Sequence, residues 1–168
     1  MDYKNDTIRR QDRLLDEARA MELLRTSDYG VLSMTDAEGL PYGIPVNYVY
    51  DGDHSIFIHC APEGKKLQAL SRHPEVSFCL IGQVNLLPDK FTTEYESVIL
   101  SGRARFDLTP DERRKALHLL VDRLSPEFKE SGYMYTEKSF HRVQVIRIDF
   151  DSYTGKQKKM HNRHAAGD

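Results

Sequence analysis

Apolar positions along the chain change period several times, and each change marks an element. Ala18, Met21, Leu23 and Leu24 recur at helical spacing within "DEARAMELLRTSDYG", which predicts a helix ending near Gly30. "YGVLSMTD" then reads as a strand, followed by a turn at "AEGLP". "YGIPVNYVYDGDHSIFIHC" predicts two strands joined at Asp51-Gly52, a dipeptide suited to the positive φ of a tight hairpin. Pro45 lies within the first of the two and cannot donate to a ladder, so that strand is expected to be irregular or at an edge. A short helix opening at Lys65-Lys66 stops before Pro74, and "EVSFCLIG" alternates as a strand. "TEYESVILSGRARFDL" predicts a long strand in which Gly102 marks a bend. The best-marked helix is "TPDERRKALHLLVDRL": Thr109 as N-cap, Pro110 in the first helical position, Glu112 completing a capping box, and Ala116, Leu117, Leu120 and Leu124 on one face. "SPEFKESGYMY" adds a short helical piece, "RVQVIRIDFDSYTGK" returns to strand, and "QKKMHNRHAAGD" reads as a frayed tail.

Hairpin-linked strands with a few peripheral helices predict a mainly β fold, a small antiparallel barrel. The hairpins leave no room for the crossover helices of a parallel sheet. At 168 residues with 39% hydrophobic content, one domain spanning 1–168 is expected, with the arm 1–14 and the tail 157–168 peripheral to it. A formal net charge of −2 argues against a nucleic-acid partner. The polar start of the chain and the absence of any long apolar run argue against a membrane segment and favour a cytoplasmic protein.

Two lysines at a helix start are electrostatically costly, because that end already carries about half a positive charge. An anion such as a phosphate would compensate them; two solvated lysines at an exposed turn explain the pattern equally well. Neither GxGxxG nor GxxxxGK[ST] is present. His59 follows Phe57 on one face of its strand, and His54 falls on the other face and is expected at the surface. Cys60 and Cys79 read as small buried hydrophobes. His161 and His164 have metal-like spacing but no carboxylate or thiolate beside them, so no metal site is expected.

"IFIHCAPEGKK", "HPEVSF", "YESVILSGRARF" and the late "TGK" together resemble the FMN-binding split-barrel superfamily that includes pyridoxamine 5′-phosphate oxidase, and within it the 5-nitroimidazole resistance (Nim) proteins. The resemblance covers roughly residues 17–156. It implies an antiparallel split β-barrel, a homodimer with FMN at the interface, and reduction of a small aromatic substrate such as a nitro compound. On this resemblance Lys65 and Lys66 meet the cofactor phosphate. Val46, Asn47, Ile58 and His59 line the ring through backbone groups, and the His59 imidazole is the candidate proton donor. Ser97 meets the copy of the cofactor held mainly by the partner. "RIDFDSYTGKQKK" offers no counterpart to the arginines and histidine with which pyridoxamine 5′-phosphate oxidase holds its substrate phosphate, so vitamin B6 oxidation is not implied. Two alternatives stay open from sequence: a flavin-binding module without turnover, acting as redox sensor or cofactor store, and the same fold holding haem or a deazaflavin.

Overall fold

The computed structural model describes residues 1–6 and 8–159. In chain order the elements are β1 (Asp2–Tyr3), α1 (Glu17–Thr26), β2 (Tyr29–Thr35), β3 (Pro41–Asn47), β4 (Val49–Tyr50), β5 (Ser55–Cys60), α2 (Lys65–Arg72), β6 (Glu75–Leu87), β7 (Thr92–Arg105), α3 (Pro110–Leu124), α4 (Lys129–Ser139) and β8 (Gln144–Lys158). Asp16 caps α1 by accepting the backbone N–H groups of Ala18 and Arg19. Both halves of the capping box are made at α3 between Thr109 and Glu112.

The strands form one sheet in the order β3-β2-β6-β7-β8-β5-β4, antiparallel along that path. β3 and β4 stand at opposite ends of this order, yet only Tyr48 separates them in the chain. The sheet must therefore curl until its two ends meet, which makes a barrel. Closure is incomplete. Among the described residues β3 has a ladder only with β2, and β5 meets β4 only through Ile56 and Phe57. Ile58, His59 and Cys60 are paired, among the described residues, on their β8 side alone, so an open seam runs between the edges of β3 and β5. Pro45 lies on the β3 edge, where its missing N–H costs no ladder bond.

Leu32, Ile56, Ile58, Phe78, Leu80, Val98, Leu100, Ile146 and Ile148 fill the barrel, each at most 1% exposed. Burying an aliphatic side chain of this size stabilises the fold by about 1.5–3 kcal/mol. A second apolar layer lies outside it, where Ala116, Leu117 and Leu120 of α3 pack on Val49, Phe57 and Val145. β5 is thus buried on both faces until His59, which continues the Phe57 row and is exposed.

Three elements extend beyond their expected bounds. β6 runs on to Leu87 and forms with β7 a two-stranded arm beyond a register shift between Ile81 and Val84. Its side chains are largely exposed, so no buried alternation announces it. α4 reaches Ser139 because α3 holds it: Tyr133 and Lys129 reach Asp122 at 2.6 and 2.8 Å, and Arg114 reaches Glu137 at 2.7 Å. β8 continues to Lys158, so the first residues of the expected tail belong to a ladder with β7. The arm is also tied down: β1 pairs in parallel with β8, and the Tyr3 ring lies 4.8 Å from that of Tyr153. His161 and His164 lie outside the described residues.

Gly102 sits at the register shift between β7 and β8, as the sequence suggested for a bend. A β-carbon there would strike the backbone carbonyl of Asp149, which cannot swing away as a side chain would. Gly102→Ala is expected to cost about 1–3 kcal/mol, the usual range for overpacking. Urea unfolding of the variant checks this; a loss below roughly 0.5 kcal/mol, the scale of an ordinary surface change, would mean that the two backbones do not approach so closely.

Candidate functional site

The seam between β3 and β5 is where the sequence-derived candidates gather. β5 ends at Cys60, a four-residue turn follows, and Gly64 stands at the N-cap of α2 with φ +135°, a conformation that favours glycine. Leu67, Ala69 and Leu70 bury one face of α2 and fix its axis. Its two lysines are consequently held at the open end.

Those lysines differ in their surroundings. Lys65 reaches Asp36, at the end of β2, with Nζ 3.0 Å from Oδ2, and stands 4.7 Å from the centre of the Tyr42 ring. Asp36 is buried, and its Oδ1 also accepts the backbone N–H groups of Glu38 and Leu40. The Leu40 N–H first, Lys65 second and the Glu38 N–H to a smaller extent hold the Asp36 carboxyl below its ordinary pKa. The charge of Lys65 is therefore already compensated within the chain, by a residue that sequence reasoning missed. The Asp36 and Lys65 positions are 29 apart, and no local pattern links them. Lys66, half-buried, has no ion-pair partner among the described residues.

His59 has no hydrogen-bond partner for its ring among the described residues. Its pKa lies below the ordinary histidine value, chiefly because part of the ring is removed from water and secondly because the Lys66 ammonium is close. Burial pushes both thiols, Cys60 and Cys79, above their ordinary pKa, which makes them poor nucleophiles. His54 hydrogen-bonds Asp53 at 2.6 Å, away from the seam on the β4–β5 turn.

The remaining candidates divide by position. Ile58 is buried in the barrel, so only its backbone can meet a ligand. Val46 lies on the β3 edge with its side chain against the core, and the Asn47 side chain donates to the Asp28 carbonyl at 2.9 Å. Ser97 lies elsewhere. It pairs with Ile81 and Lys156 on the outer surface, whereas His59 pairs with Val145. Eleven positions of β8 separate Val145 from Lys156, roughly 35 Å of extended strand. Within one chain Ser97 and His59 do not share a site.

Beside His59 opens a cleft of about 480 Å³ between α3 and α4, walled by Leu117, Leu120, Val121 and Leu124 of α3 and by Gly132, Tyr135 and Thr136 of α4. Sequence reasoning saw one apolar face on α3 but not that it projects past the barrel. Among the described residues no three His, Cys, Asp or Glu side chains group as a metal site, and no helix is long and apolar enough to cross a membrane.

Acid titration of His59 follows from this geometry. Its folded-state pKa lies below the unfolded value of ~6.5, so its contribution to stability is complete above that pH and is lost as pH falls through the folded-state value. NMR titration of the ring should give a midpoint below 6.5. Lys66→Gln should raise it only in part, because desolvation is the larger cause. A midpoint at or above 6.5 would contradict the site as described.

Comparison with known proteins places this architecture. The family described as pyridoxamine 5′-phosphate oxidase matches residues 16–157. No curated protein sequence matches the chain. Among solved structures, a candidate 5-nitroimidazole antibiotic resistance protein from Bacteroides thetaiotaomicron is 23% identical, with a TM-score of 0.69 over 86% of each chain. The FAD and heme binding protein from Mycobacterium smegmatis is 18% identical, with a TM-score of 0.76 over 89% of this chain and 75% of that one. The flavocytochrome Anf3 from Azotobacter vinelandii is 17% identical, with a TM-score of 0.72 over 95% of this chain and 77% of that one. At these identities the likeness is one of fold.

Proposed function

We propose that this chain, which belongs to the pyridoxamine 5′-phosphate oxidase family, is a flavin-dependent oxidoreductase that holds FMN between two copies of itself and reduces a small aromatic molecule, with nitro compounds as one substrate class. The observation that carries this reading is the pairing, at one seam, of an ammonium (Lys66) and an imidazole (His59) that have no ion-pair or hydrogen-bond partner among the described residues, beside an apolar cleft.

The donor set suits a phosphorylated flavin. Lys66 and the free N–H groups at the head of α2 together fit a phosphate. The unpaired edges of β3 at Val46–Asn47 and of β5 at Ile58–His59 offer backbone donors and acceptors to the polar rim of a flat ring. The flavin, when bound, supplies the electrons. His59 holds the proton that a reduced substrate requires.

A second copy supplies what one chain cannot. On the outer surface of the sheet Ile81 and Ile99 are 59% and 44% exposed, and Ser97 pairs directly with Ile81. Covering that surface with its symmetry mate buries the apolar pair and brings Ser97 toward the other copy's seam. The solved relatives named for FAD and heme support a broader cofactor range for the fold. A His59 ring without a hydrogen-bond partner among the described residues, beside an apolar cleft, also suits haem, and the visible spectrum of purified protein distinguishes haem from flavin.

Two measurements test the reading. A charge-assisted hydrogen bond contributes about 1.5–3 kcal/mol, so Lys66→Gln should weaken FMN about ten- to a hundredfold and leave riboflavin, which lacks the phosphate, nearly unchanged. Lys65→Gln should weaken FMN less, because Asp36 already neutralises that charge. Equal losses for FMN and riboflavin in Lys66→Gln would place the phosphate elsewhere.

Turnover per bound flavin reads the role of His59. His59→Ala should slow it about 10²–10⁴-fold, the range of general acid catalysis, with a much smaller change in FMN affinity. The wild-type rate should fall as pH rises through a midpoint below ~6.5, since only the protonated ring donates and its pKa is lowered. A rate per flavin that survives the substitution would leave His59 as a bracing residue only.

A further inference from the structure

We infer that the cleft between α3 and α4 is a binding pocket for an uncharged, flat, mainly apolar aromatic ligand, and that Thr136 reads a hydrogen-bond acceptor on it. The inference deepens the reading of His59 as the residue that faces substrate, and it rests on observations of its own.

The first is that the cleft is held open by construction. Lys129, Tyr133 and Glu137 follow one another at i, i+4 along α4 and make its polar ties to α3: Lys129 and Tyr133 to Asp122, and Glu137 to Arg114. The Tyr133 ring also lies 4.3 Å from that of His118. Gly132 allows close approach, since a β-carbon there would lie 2.5 Å from Val121 Cγ1. With one face of α4 fixed in this way, Tyr135, Thr136 and Ser139 on another line the space beside His59. At about 480 Å³ that space is within the ordinary size range of small-molecule sites.

The second observation is chemical. Among the described residues no carboxylate, lysine or arginine lines the cleft, so a charged ligand would find no partner in these walls. Thr136, in contrast, is 7% exposed and lines the cleft, yet its hydroxyl has no hydrogen-bond partner among the described residues. Thr26 and Ser71, also in helices, satisfy theirs on the carbonyl four residues back, at 2.7 Å each. The Ser139 hydroxyl accepts from Arg142 at 3.2 Å. Thr136 thus offers a hydroxyl without a protein partner among the described residues at the cleft wall, where a ligand carrying an acceptor can engage it and one without an acceptor gains nothing from it. A neutral ring bearing an acceptor, such as a nitro group or a carbonyl, matches both the walls and this hydroxyl.

The test uses the full-length protein, flavin-free and flavin-loaded, with 4-nitrotoluene and its apolar analogue p-xylene as probes. Methyl NMR should show both probes shifting Leu117, Leu120, Val121 and Leu124. Thr136→Val, which keeps the volume and removes the hydroxyl, should weaken 4-nitrotoluene about three- to tenfold and leave p-xylene unchanged. Ser131→Trp, at an exposed position on the cleft rim, should block both probes while α4 stays folded. Shifts confined to other methyls, no shifts at all, or equal weakening of both probes by Thr136→Val would overturn the inference. Flavin absorbance in the same samples keeps the two readings apart: probe binding in a protein that takes up no flavin counts against the proposed function and leaves the pocket standing.

Discussion

The fold turns on the single residue between β3 and β4. Tyr48 carries the chain from one end of the sheet order to the other, and its side chain is 2% exposed. The ring meets Phe78 edge-on at 5.0 Å, and the hydroxyl donates to the Leu24 carbonyl at 2.7 Å, so the crossing point is anchored both to the barrel interior and to the end of α1. Because one residue cannot span a wide gap, the sheet is obliged to curl. Because β3 and β4 diverge from that point, the curl cannot seal completely. Barrel and seam are two results of one constraint.

Electrostatics then gives the seam its character. Of the two cations at the head of α2, one is neutralised by a carboxylate from the β2–β3 turn and the other is left available. Asp36 thus has a structural task, joining the turn to α2, and a subtractive one, removing a charge from the site. A similar division operates at α1, where Arg19 reaches the buried Glu96 at 2.8 Å and fastens that helix to β7. In both places a buried carboxylate holds a helix to the barrel. At α2 a second cation, Lys66, stands beside the paired one without an ion-pair partner among the described residues.

Much of the fold was legible because local chemistry and tertiary structure agree. The capping box at Thr109, the Asp51-Gly52 turn with Gly52 at φ +91°, and Pro45 on an edge strand each follow from one residue's backbone requirements. The β6–β7 arm and the length of α4 were not legible. The arm is held by a ladder without buried alternation, and α4 by polar ties to residues of α3 that sequence spacing does not link. At the site, His59, Lys65 and Lys66 were visible as residue types out of place at a strand end and a helix head. Asp36 and Thr136 were not, since an aspartate before a turn and a threonine in a helix look ordinary until their partners, or the lack of them, are seen.

β8 comes after every other strand in the chain, yet it lies inside the sheet, between β7 and β5, and it is also the strand that β1 joins. Until it emerges, β5 and β7 have no common neighbour and the barrel wall has a gap the width of a strand. Closure is therefore a late and long-range event, coupling residues 2 and 3 to residues 152 and 153. Topologies of this kind search slowly for their native pairing. A nascent chain stopped short of β8 would leave two hydrophobic edges uncovered, a form suited to capture by chaperones or to pairing with another such chain.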